Sequence, residues 1–197
     1  GIDGCIHTLD KMSQIQNRYP QLSVYHSKEN NGTYVTSNAL LANVKHDNII
    51  RFDSDDVMMP HLVSHIHENK NEHHYMRMRF KRFQNANRKN MNSPTSDFGA
   101  LGAIYISRKV VNTLGGYKDW KCAGDLDFSC RWKRSGEGLQ PYTKEALFWY
   151  RCHSNQLTRK RETNLRSSLR TNFVTEAKSG KGPIKINPKV GVYKKIS

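Results

Sequence analysis

What this chain lacks narrows it first. No apolar run approaches the roughly 20 residues that a membrane-spanning helix needs, and no secretory signal is expected. Cysteine is scarce: Cys5, Cys122, Cys130 and Cys152 form no CxxC pair, so neither a zinc site nor a disulfide framework is implied. That pattern predicts a reducing, cytoplasmic setting. Acidic side chains are also few, 17 against 32 Lys and Arg, leaving a formal charge of +15. Such an excess attracts phosphate-bearing ligands, nucleic acid or anionic membrane surfaces and says nothing about fold. The basic residues gather in 77–88 and from 151 onward. Aromatic residues do not interleave with them, so no nucleic-acid partner is expected, and a solvated basic surface accounts for the charge equally well.

What is present fits one polar domain with a core. The chain has 197 residues, is 36% hydrophobic and has a mean hydropathy of -0.79, long enough to bury a proper interior. Its most informative stretch is Asn48-Ile49-Ile50-Arg51-Phe52-Asp53-Ser54-Asp55-Asp56. An apolar run that ends in carboxylates reads as a buried strand of an open α/β sheet, delivering polar residues at its C-terminal end. Three carboxylates so close repel one another unless a cation or hydrogen-bond donors sit among them. A hard divalent ion carrying a phosphate is a natural occupant. Taken alone, the plainer reading is an Asp-rich turn that caps the next helix.

Residues 5–19 carry Leu9, Met12, Ile15 and Tyr19 at helical spacing, with Pro20 as the stop. Leu22 to His26 predicts a strand, Asn30-Asn31-Gly32 a turn, and Thr33 to Val44 a second helix. With the strand at 48–52 the order is α-β-α-β, which predicts a mainly parallel sheet flanked by helices. Further on come a helix at 60–69, an alternating strand at 73–83, a loop at 85–97 that is a candidate lid, and a strand at 101–107. A short helix at 110–114, the turn Gly115-Gly116, a helix from Asp125, a strand at 146–150 and a C-terminal helix at 163–177 follow. The Gly/Lys/Pro-rich remainder predicts an extended basic tail. No internal repeat is visible.

Six landmarks then fall in order: Asp3-Gly4-Cys5, Glu29-Asn30-Asn31-Gly32 with Asn38, Phe52-Asp53-Ser54-Asp55-Asp56, Leu114-Gly115-Gly116-Tyr117, Gly124-Asp125-Leu126-Asp127-Phe128 and Tyr150-Arg151-Cys152-His153. Together they resemble a nucleotide-sugar-dependent glycosyltransferase of the family 2 type with the GT-A fold. The resemblance covers 3–160 and reverses the odds on the aspartate cluster. It implies a GT-A-like catalytic domain over 1–160, N-terminally incomplete by a strand-helix unit and a second strand, followed by a C-terminal helix and basic tail over 161–197. The implied activity is transfer of a sugar from a nucleoside diphosphate sugar, a UDP-sugar first among them, to the hydroxyl of a glycan or lipid-linked acceptor. Peripheral contact with a membrane follows from such an acceptor. A non-catalytic binding module on the same scaffold, or a basic nucleic-acid binder, is the alternative.

The resemblance also implies roles. Asp53 would reach the donor's ribose, Asp3 a uracil or ribose, and Asn38 and Arg151 the donor. Asp55 would hold a Mn²⁺ or Mg²⁺ ion between the phosphates, with His153 as a further ligand. Asp56 would cap the next helix or orient Asp55. Asp125 would be the base that deprotonates the acceptor hydroxyl in an inverting displacement, an N-cap being its plainer role. Trp120 and Asp127 would meet the acceptor, although Trp120 also suits a core. Asp127 and Arg131 at i, i+4 also read as a helix-face pair worth a few tenths of a kcal/mol. Arg159 and Lys160 would steady the diphosphate. Two departures stand out: Gly124 sits where the family usually has glutamate, and Thr36-Ser37 where many relatives have Ala-Arg.

Overall fold

The computed structural model describes residues 1–84, 93–138 and 141–196. The elements are β1 (Ile2–Asp3), α1 (Ile6–Arg18), β2 (Tyr25–Ser27), α2 (Thr33–Asn43), β3 (Asn48–Arg51), β4 (Val57–Met58), α3 (Leu62–Asn69), β5 (Tyr75–Gln84), β6 (Ile104–Ser107), α4 (Arg108–Leu114), α5 (Gly124–Arg134), β7 (Tyr142–Cys152), α6 (Ser168–Ser179) and β8 (Lys194–Lys195). The larger sheet has the order β3-β6-β5-β7-β4, the smaller β1-β2-β8.

The expected mainly parallel sheet is corrected to a mixed one. β5 and β7 pair in parallel, as do β1 and β2, whereas β3 with β6, β6 with β5, and β7 with β4 are antiparallel. The cause lies in the connections. No helix was expected between the strands at 73–83 and 101–107, and a strand that returns without a crossover helix must lie antiparallel to its neighbour. β3, β5 and β7 still run the same way.

Period-two alternation splits the core into two layers. Ile104 and Ile106 of β6 face one cluster with Tyr34 and Leu41 of α2, Leu114 of α4, and Phe128 and Trp132 of α5. Ala103 and Tyr105 face the other, with Leu62 and Ile66 of α3, Met78 and Phe80 of β5, and Phe148 of β7. β5 buries Met76, Met78 and Phe80 and turns Arg77, Arg79 and Lys81 outward. That is the alternation its sequence predicts over 76–81, although Tyr75 and Phe83 nearer its ends are buried as well. α1 is the exception: it buries no residue fully, and Ile15 and Tyr19 of its apolar stripe are exposed.

The C-terminal stretch is no loose tail. After α6, which packs on α5, the chain returns across the molecule. Ile186 N–H donates to the Leu114 carbonyl, the Lys189 carbonyl accepts from Asn38, and β8 pairs antiparallel with β2. Gly115 sits at φ +80°, where a Cβ would collide with the Ile186 carbonyl. A glycine is required there by both conformation and space. Of the candidate lid at 85–97, residues 85–92 lie outside the described residues.

Candidate active site

β3 delivers Arg51 and then Asp53 at its end. Arg51 Nη2 lies 3.0 Å from Asp53 Oδ1, and Arg51 also donates to the Gly102 carbonyl and lies over the Tyr117 ring. A Cβ on Gly102 would stand 2.8 Å from Asp53 Oδ2, so that glycine lets the carboxylate turn inward. Desolvation pushes the Asp53 carboxyl above the usual carboxylate range, and Asp55 and Asp125 push the same way against the pull of Arg51. The charge of Asp125 thus reaches Asp53.

Asp55 and His153 meet. His153 Nε2 lies 2.8 Å from Asp55 Oδ2, joining the loop after β3 to the loop after β7. Two further contacts fix that geometry. The Arg151 backbone N–H donates to Asp56 Oδ1 at 2.9 Å. Gln156, buried, accepts from the His153 N–H and donates to the Tyr150 hydroxyl and the Arg151 carbonyl. Asp56 therefore ties the aspartate loop to β7 and so seats Asp55. Burial, with Asp55 and Asp53 close by, pushes its carboxyl up to about 7.

Asp125 lies in the first turn of α5, one residue past its start. Its Oδ1 accepts from the Tyr34 hydroxyl at 3.0 Å and from the Leu126 N–H at 2.9 Å. It is not the N-cap; Ala123 holds that place, at φ 60°, the one left-handed non-glycine among the described residues. Gly124 has a local reason: a Cβ there would stand 2.8 Å from the Tyr34 ring. The tyrosine fills the space that a glutamate would enter.

Asp3, Thr36, Arg51, Asp53, Tyr117 and Lys160 line one cleft of about 910 Å³. Asp3 ends β1 and Asp53 follows the last residue of β3 by two positions, at the strand ends where open α/β sheets place ligand-facing groups. The model of glycosyl transferase family 2 matches residues 3–124. The chain belongs to that family. No curated protein matches the sequence closely enough to count as a relative. Family membership carries glycosyl transfer from a nucleotide-sugar donor to an acceptor as the general activity, often with a divalent metal. The matched segment stops one residue before Asp125, so Asp125, Arg151 and His153 of this glycosyltransferase rest on their geometry.

Among the described residues no group of three or more His, Cys, Asp and Glu is arranged as a complete metal cage. Asp55 and His153 offer one carboxylate oxygen and one imidazole nitrogen side by side. Mg²⁺ and similar ions at phosphate sites take only one or two protein ligands and complete their shell with phosphate and water. The donor set fits a metal brought in with a diphosphate and not a resident structural ion.

Three expected site residues are elsewhere. Asn38 is 2% exposed; its amide donates to the Tyr117 and Lys189 carbonyls and accepts from the Tyr117 N–H. It binds backbone where a donor contact was expected. Trp120 stacks on Phe173 of α6 with ring centroids 4.5 Å apart, so its apolar face is taken by the protein. Asp127 is fully buried, 2.6 Å from Arg131 and 3.1 Å from Lys118. The supposed helix-face pair is a buried ion pair, and Arg131 also donates to the Leu114, Gly116 and Ile184 carbonyls. Arg151 lays its guanidinium over the Phe83 ring, 5.8 Å from its centroid.

Sequence reasoning passed over Arg51, Tyr34, Gln156 and Tyr193. Arg51 carried a signal: a charged residue inside an otherwise apolar strand needs a partner, and Asp53 follows two positions on, the same side of a pleated strand. Tyr34 and Tyr193 act through contacts 91 and 190 residues away in sequence, beyond any local pattern.

Proposed function

We propose that this glycosyltransferase moves a sugar from a nucleoside diphosphate sugar, a UDP-sugar first among candidates, to the hydroxyl of a glycan or lipid-linked acceptor with inversion at the anomeric carbon. The observation that carries the reading is the 2.8 Å contact of Asp55 with His153. It seats an oxygen and a nitrogen ligand beside Asp53, whose carboxyl senses Asp125. Asp53 and Asp3 bind the nucleoside, and Asp55 and His153 hold Mn²⁺ or Mg²⁺. A bound divalent ion would neutralise charge on the departing diphosphate. Lys160, on the cleft wall, pairs with phosphate oxygens. Asp125 takes the acceptor proton, kept in place by the Tyr34 hydroxyl and the Leu126 N–H.

The charge of +15 suits work at the cytoplasmic face of an anionic membrane, where lipid-linked acceptors reside. Among the described residues no helix is long and apolar enough to cross a membrane, so such contact would be peripheral.

A thermal-shift panel of nucleotide sugars with Mn²⁺ or Mg²⁺, followed by a donor-hydrolysis assay, tests the reading. Stabilisation by one donor with metal, sugar release by the native chain and none by Asp125→Asn are expected. Stabilisation without sugar release would indicate a binding module. No shift with any nucleotide would remove the reading altogether.

A further inference from the structure

Asp3 is held from three sides. The Asn31 and Gly32 backbone N–H groups donate to its two oxygens, Oδ1 and Oδ2, each at 2.7 Å. The third donor comes from the far end of the chain: the Tyr193 hydroxyl reaches Oδ1 at 2.9 Å. Tyr193 is itself seated, its hydroxyl 2.6 Å from Thr36 Oγ1, and the following residues are fixed by the pairing of β8 with β2 and by Ile196 N–H to the Val24 carbonyl. Behind it, Gly191 packs on Asn31, where a Cβ would stand 3.1 Å from the amide carbon. This strap lies outside the family-matched segment, 3–124, yet it grips a residue that lines the cleft.

The donor count decides what is left for a ligand. A carboxylate has about four lone-pair sites. Oδ1 takes the Asn31 N–H and the Tyr193 hydroxyl, with the Asn31 side-chain amide more distant at 3.4 Å. Among the described residues, Oδ2 takes only the Gly32 N–H. One strong acceptor site on Oδ2 is therefore unfilled, on a carboxylate whose rotation is blocked.

We propose that Tyr193 is a positioning residue for donor binding: by holding Oδ1 it aims the free site of Asp3 Oδ2 at an O–H or N–H of the nucleoside. The proposal rests on the reading of the cleft as a donor site and adds a determinant from the C-terminal strap. On that reading Asp3 meets the nucleoside and not the pyrophosphate, so the two halves of the ligand should respond differently.

The test measures binding of UDP and of inorganic pyrophosphate, each with Mn²⁺, to the full chain by calorimetry, for the native protein, Tyr193→Phe and Thr36→Val. Loss of one hydrogen bond to a charged group predicts that Tyr193→Phe weakens UDP about five- to twentyfold. Pyrophosphate should change less than about twofold once each affinity is corrected for the folded fraction, and Thr36→Val should give a smaller shift of the same sign. Equal UDP affinity in Tyr193→Phe, tighter UDP binding, or equal losses for UDP and pyrophosphate would each overturn the proposal. The last would mean that the strap supports only the fold. Should the native chain bind pyrophosphate and no nucleoside diphosphate, the donor reading falls, and this proposal with it.

Discussion

The Tyr34 hydroxyl donates to Asp125 Oδ1 at 3.0 Å, and the same ring occupies the space where a side chain on Gly124 would stand. The two facts are one adaptation. A side chain at 124 would push Tyr34 off Asp125, so glycine there and tyrosine on α2 belong together. Gly124→Ala is expected to cost about 1–3 kcal/mol through overpacking, measured by urea unfolding. Tyr34→Phe should keep the ring, lose about 1 kcal/mol and lower turnover with little change in donor KM. An unchanged turnover would separate Tyr34 from the chemistry.

Removing either half of the Asp55–His153 contact should abolish the same signal. In the native chain, Mn²⁺ is expected to increase the stabilisation given by UDP, and a chelator to reverse it. Asp55→Asn and His153→Ala should each lose that increment, and the double variant should lose no more, since both act on one ion. Additive losses in the two single variants would mean that they serve different ligands.

Asp127 is expected to behave as part of the core. Asp127→Ala leaves the Arg131 guanidinium buried without its carboxylate, and breaking a buried pair costs about 3–5 kcal/mol. Urea unfolding reads the loss, while donor affinity, corrected for the folded fraction, should stay the same. A cost under about 0.5 kcal/mol, the range of a solvated pair, with weakened acceptor use would return Asp127 to the cleft.

Three of the four cysteines, Cys5, Cys122 and Cys130, should react in a fixed order relative to one another. Cys5 is exposed and its thiol is lowered first by the Thr8 hydroxyl, whereas burial raises the thiols of Cys122 and Cys130. Only the thiolate is the nucleophile, so iodoacetamide near neutral pH should label Cys5 first. Raising the pH increases thiolate at all three, but Cys122 and Cys130 should lag until the chain unfolds. Peptide mass mapping against time gives the order, and early labelling of Cys122 would contradict its burial.

Most elements were legible because their signals are local. Met76, Met78 and Phe80 alternate with basic residues and form the expected strand with these three buried; Thr33 to Asn43 forms the expected helix. The mixed sheet was not legible because strand direction depends on which strands pair, and β3 with β6 and β4 with β7 are far apart in sequence. β7 is longer than the apolar run 146–150 suggests, since Tyr142 to Glu145 are polar residues held by pairing with β5. At the site, the family resemblance supplied Asp53, Asp55, Asp125 and His153 as candidates. The Asp127–Arg131 pair was legible at i, i+4, and only its burial was not. The resemblance misled on Asn38 and Trp120, whose partners come from residues 117, 189 and 173. Single-sequence patterns carry no information on such distant pairs.

The strap also sets a clock on folding. A polypeptide emerges from the ribosome from its first residue onward, so β1 and β2 are made long before β8 can join them. Until residues 193–196 are released, the smaller sheet lacks a strand and Asp3 lacks its phenol partner. The cleft can therefore be finished only once Tyr193 has left the ribosome, and a chain stalled before it would carry the larger sheet with Asp3 held by two donors instead of three.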